Sequence, residues 1–149
     1  MWPLLIAVGA GFILKELFGS SDVKKKRLFI SFAIEDQKYR DFLVAQAKNE
    51  KTSFTFIDMS VKEPWDENEW KKRCRTKIKS CDGVLVLLSK KTWQSSGARW
   101  EIRCAKEENI PVIGMRINKK ERASIVPELK GSKVIIWSWD NVAHFIKKI

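Results

Sequence analysis

The sequence predicts a doubly wound α/β domain, with five short strands in one parallel sheet and helices on both of its faces. Three observations carry that expectation. From residue 27 onward, short apolar runs rich in β-formers alternate with segments of helical periodicity. One run, Gly83 to Ser89 (GVLVLLS), is apolar at every side-chain position but its last, as a strand at the centre of a parallel sheet must be. The length of 149 residues suits one domain with a short appendage. A domain of that size buries enough surface to need neither a disulfide staple nor a structural metal.

The first strand is Arg27 to Ala33 (RLFISFA), and Asp36 to Asn49 follows with Tyr39, Phe42, Leu43 and Ala47 at helical spacing. Phe54 to Asp58 (FTFID) is the second strand. A loop through Lys62, Glu63, Pro64 and Trp65 leads to a helix over Glu67 to Ser80, in which Trp70, Cys74, Ile78 and Cys81 form one stripe. Gly83 to Ser89 is the third strand. Ala98 to Asn109 is a helix with Ala98, Ile102 and Ala105 facing inward and Glu101 on the flank of that stripe. Pro111 to Ile117 and Val134 to Trp137 complete the sheet. The last helix, Asn141 to Ile149, repeats Val142, Phe145, Ile146 and Ile149 at i, i+3, i+4 and i+7, with Asp140 as its expected N-cap. Right-handed crossovers make the strand order 2-1-3-4-5 the expected one, with a ligand crevice beyond the carboxyl ends of strands one and three.

Residues 1–19 are read as a hydrophobic helix, 20–26 as a basic linker and 27–149 as the α/β domain. Trp2 to Leu14 (WPLLIAVGAGFIL) carries no charge, and Lys24-Lys25-Lys26-Arg27 follows soon after. By the positive-inside rule this pattern predicts a membrane anchor with the domain on the cytoplasmic side of the cell membrane, the alternative being a helix packed on the domain or on another copy of itself. The three cysteines, Cys74, Cys81 and Cys104, form no CxxC pair, and His144 is the single histidine. No zinc-ligand spacing exists, and no metal is expected. The net charge of +11 favours anionic partners. The lysines and arginines of the second helix, Lys71, Lys72, Arg75, Lys77 and Lys79, read as its solvated face, so no nucleic-acid partner is expected.

Several common uses of this architecture are absent from the sequence. It has no GxxxxGK[ST] loop, no GxGxxG and no GxSxG. A phospho-acceptor aspartate is also missing, since the third strand ends in Leu88-Ser89.

Three segments carry a resemblance instead. RLFISFAIEDQ is similar to the opening box of Toll/interleukin-1-receptor (TIR) domains. SVKEPWDE resembles that family's loop over the mouth of the active site, and SKKTWQSSGARWEIRCAKEENIPVIGMRI resembles its strand–helix–strand around an essential glutamate. Order and spacing most resemble the TIR-like proteins of the bacterial Thoeris anti-phage system, over about residues 24–149. The resemblance implies an enzyme that cleaves NAD as substrate, with no cofactor. It would release ADP-ribose or a cyclic isomer as a second messenger for a downstream effector, and would act as a homo-oligomer. The alternative it leaves open is a non-catalytic adaptor assembling by homotypic contacts.

The chemistry is consistent with a single carboxylate. Cleaving the nicotinamide–ribose bond develops positive charge on the ribose, as in glycoside hydrolysis, and the cationic base departs neutral without a general acid. The resemblance places Glu101 in that role. Ser31 and Phe32 at the end of the first strand, Asp58 after the second, Trp65 in the loop, and Trp93 and Trp100 are the expected substrate contacts. Arg99, Lys90 or Lys62 would neutralise the diphosphate. Trp100 directly precedes Glu101, whereas animal TIR domains separate their Trp and Glu by several residues.

Overall fold

The computed structural model describes residues 25–50, 54–59, 65–121 and 125–149. The hydrophobic segment 1–19, Lys62 and most of the basic linker lie outside the described residues. Among the described residues, no helix is long and apolar enough to cross a membrane.

Five parallel strands stand in the order β2-β1-β3-β4-β5, as expected. They are β1 (Lys26–Ser31), β2 (Phe54–Ile57), β3 (Gly83–Leu88), β4 (Val112–Arg116) and β5 (Lys133–Ile136). The helices are α1 (Gln37–Asn49), α2 (Glu67–Lys79), α3 (Ser96–Glu107) and α4 (Trp139–Lys148). All six residues of β3 are buried, because helices cover it on both sides.

Strand alternation divides the core into two layers. Phe29, Ile57, Val84, Val86 and Leu88 face α2 and α3, where they meet Cys74, Ile78, Ile102 and Ala105. Leu28, Ile30, Leu85, Leu87, Ile113 and Met115 face α1 and α4, against Leu43, Val44, Val142 and Phe145. Ser31 follows Phe29 by two and so falls on the α2/α3 side.

Helix ends depart from expectation where a side chain captures a free N–H. Ser95 accepts from the Ala98 N–H at 3.1 Å, so α3 starts two residues earlier than its apolar stripe implied. At the last helix the N-cap is Ser138, which accepts from Asn141 N–H at 3.1 Å, and Asp140 lies within the first turn. Helix α3 closes on Asn109 in the left-handed region (φ 58°), with the Ile110 N–H reaching back to Ala105 O.

A buried carboxyl at the mouth of the sheet

Beyond the carboxyl ends of β1 and β2 lies a cavity of about 160 Å³. Ile30, Phe32 and Ile34 line it from β1 and the turn after it, and Met59 from the end of β2. Trp70 enters from α2, and Ser95, Gly97, Ala98 and Glu101 from the start of α3. This is the crevice the strand order predicts, displaced towards β2.

Glu101 is the charged residue of that lining, and it is only 5% exposed. Helical geometry puts it there: it lies three residues after Ala98 and one before Ile102, both buried against the sheet. Its oxygens are held separately. Ser31 Oγ donates to Oε1 at 2.7 Å, and Cys74 Sγ approaches Oε2 at 3.8 Å as a weak donor. Ser31 Oγ also lies 3.3 Å from the Ala98 carbonyl. One hydroxyl hydrogen serves two acceptors, so Ser31 can donate to an ionised Glu101 or turn to Ala98 O and accept from a protonated one. Burial pushes the Glu101 carboxyl up to about 8; the Ser31 hydrogen bond opposes that rise, the negative charge of Asp58 adds to it, and the Cys74 contact opposes it again. Burial and the neighbouring Glu101 together hold the Cys74 thiol far above its ordinary value, so it stays protonated.

The other residues singled out in the sequence fall into two groups. Phe32 lines the cavity with Glu101, Ser31 bonds the Glu101 carboxyl from behind the lining, and Asp58 directly precedes the lining residue Met59. Asp58, 2% exposed, pairs with the equally buried Arg40, whose Nε lies 3.2 Å from Oδ2. Arg99, Trp93, Trp100, Trp65 and Lys90 are not among the cavity's lining residues. The Arg99 guanidinium lies 5.1 Å from the centre of the Trp93 ring, and its Nε donates to Glu128 at 2.9 Å. Trp100 packs edge-on against Trp70 at 5.5 Å, with the Arg75 guanidinium 5.5 Å from its ring. Trp65 is half-buried with the Arg73 guanidinium 4.6 Å from its ring. Lys90 is exposed, and its backbone N–H donates to Glu121 at 2.6 Å.

Sequence reasoning placed Trp70 in a core stripe and gave Met59 and Cys74 no part in the site. The signal for two of them was present. Trp70 and Cys74 are one helical turn apart on the face that meets α3, so a helix delivering Cys74 to Glu101 also delivers Trp70 to the cavity. All three cysteines are free and buried. Among the described residues, no group of three or more His, Cys, Asp or Glu side chains is arranged to hold a metal ion.

Comparison with solved structures returns the same architecture. The TIR domain of the Toll-related receptor TRR-2 from Hydra magnipapillata superimposes with a TM-score of 0.63 at 12% identity, covering 80% of this chain and 97% of that one. The CMP N-glycosidase BcmB of Clostridium botulinum gives a TM-score of 0.51 at 16% identity, covering 83% and 97%. No curated protein sequence matches significantly. Residues 29–122, from β1 through the turn after β4, match the profile of the Thoeris protein ThsB, TIR-like domain. With most of its length matched, the chain belongs to the Thoeris ThsB TIR-like family.

Proposed function

We propose that this protein cleaves the nicotinamide–ribose bond of NAD and that Glu101 carries the step. The observation behind this reading is a single buried carboxyl, aimed into a cavity whose lining is otherwise largely apolar and held there by Ser31 and Cys74. Family membership supports it, and BcmB, named as a CMP N-glycosidase, carries the same fold.

The bond between C1′ and the pyridinium nitrogen breaks with its electron pair going to the ring, so nicotinamide departs neutral. The positive charge moves onto the ribose, where the Glu101 carboxylate stabilises it. Water then adds to C1′ and loses a proton, giving ADP-ribose; attack by an adenine nitrogen gives a cyclic isomer instead. Near pH 7 a group titrating at about 8 is mostly protonated. The arriving pyridinium cation lowers that value by direct attraction, so the substrate helps to ionise the group that acts on it.

A cavity of about 160 Å³ holds a sugar ring and little more, whereas sites for whole drug-sized ligands span about 300–1,000 Å³. The ADP half of the dinucleotide would therefore lie outside it, and a second copy of the chain could supply those contacts. A second reading is a non-catalytic scaffold joined by homotypic contacts. In that case signalling to an effector survives Glu101→Ala and fails on Trp65→Ala.

Free nicotinamide released from NAD by concentrated or surface-tethered protein separates the two readings. The enzyme reading predicts release by the wild type and a loss of about 10²–10³-fold in Glu101→Gln. Equal release from both proteins contradicts it.

A further inference from the structure

We propose that Arg40 is a positioning residue for Glu101, fixing the cavity wall through Phe32 and neutralising Asp58 at the end of β2. The inference rests on Glu101 being the working group of the site.

Arg40 comes from α1, on the sheet face opposite Glu101, and is 2% exposed. A guanidinium remains charged at any ordinary pH, and a buried one needs compensating charge. Asp58 Oδ2 at 3.2 Å and Asp41 Oδ1 at 3.1 Å provide it. Its guanidinium carbon also lies 5.8 Å from the centre of the Phe32 ring, one of the cavity's lining side chains. Asp58 directly precedes Met59, another lining residue. The pair therefore ties α1 to the ends of both strands that form the cavity's far wall.

The electrostatic part follows from the same placement. The groups acting on Glu101 are Ser31 of β1, Asp58 at the end of β2 and Cys74 of α2. Glu101 in turn acts on Cys104, its neighbour on α3. Lys77 of α2 reaches the Asp58 carbonyl at 3.4 Å, so Asp58 lies near two cations. Asp58 makes Glu101 harder to ionise, and Arg40 is the buried counter-charge that limits this. Without Arg40, the working carboxylate would form only at higher pH.

The test is carbon-13 NMR of protein labelled at the glutamate side-chain carboxyl, with the Glu101 signal assigned by its loss in Glu101→Gln. Its titration midpoint is followed in Arg40→Met, Arg40→Lys, Asp58→Asn and the double variant Arg40→Met/Asp58→Asn. Loss of Arg40 is expected to raise the midpoint by about one pH unit or more. Arg40→Lys keeps it near the wild-type value, and Asp58→Asn lowers it. The double variant returns it to the wild-type value or below. An unchanged midpoint in folded Arg40→Met, or no reversal in the double variant, overturns the inference. If Arg40→Met does not fold, Arg40→Gln is read in its place: a rise of the midpoint supports the inference, and no change or a fall overturns it. Nicotinamide release is measured on the same samples. If the variants shift as expected yet the wild type releases no nicotinamide, the proposed reaction fails and the Arg40 coupling stands.

Discussion

Arg99 and Glu101 are two positions apart on α3, yet they face opposite environments. Glu101 turns under the helix into the cavity, where Ser31 and Cys74 hold it. Arg99 turns outward to Glu128 and Trp93, and Trp100 between them packs against Trp70 and the cations of α2. A helix advances about 100° per residue, so three consecutive side chains cannot converge on one ligand. A run of site-like residue types along a helix therefore marks one site residue and neighbours that fasten the helix in place. Here the fastening is substantial, since Glu128 takes both Arg99 and Arg103 and ties α3 to the turn before β5.

The difference between the two faces can be tested by what each costs. On the inner face, Glu101→Gln should stabilise the protein while removing its activity. The folded-state value of about 8 lies above the ordinary 4.5, so the wild type loses stability as pH rises from about 4.5 through about 8. Glutamine has no such loss. Thermal or denaturant unfolding should show the variant gaining about 4 kcal/mol on the wild type between pH 5 and pH 8.5. A gap that does not change with pH would show that Glu101 is not held protonated. On the outer face, Trp100→Ala should cost about 2 kcal/mol, since Trp100 is only half-buried. Nicotinamide release by the folded variant should stay within about threefold of wild type. Arg99→Met should cost about 1 kcal/mol by breaking a partly buried pair, again with little change in turnover. If either outer variant abolishes release while remaining folded, the division between the faces fails.

Much of this was legible in the sequence because it depends on local pattern. The all-apolar GVLVLL run announced the central strand, and alternation along LFIS placed Ser31 on the face of Phe29. The stripe Ala98, Ile102 and Ala105 put Glu101 at the edge of the buried face. Arg99 and Trp100, expected from the resemblance as substrate contacts, instead stand away from the cavity lining on distant partners. Trp70 lies thirty positions before Trp100, and Glu128 twenty-nine after Arg99. Pairings at that distance belong to helix–helix docking, which leaves no periodic trace. The Arg40–Asp58 pair was hidden for a similar reason, since α1 and the end of β2 meet only once the sheet has formed. Family resemblance supplied the proposed role for Glu101; its surroundings show a buried carboxyl held by Ser31 and Cys74.

The central claim is that one carboxyl, kept protonated by burial, must ionise to stabilise a ribosyl cation. Its most direct measurement is the pH dependence of kcat/KM for nicotinamide release from NAD. If Glu101 must ionise to act, the profile rises with pH to a midpoint near 8 in the free protein. A flat profile from pH 5 to 9, or one that falls across that range, would contradict it.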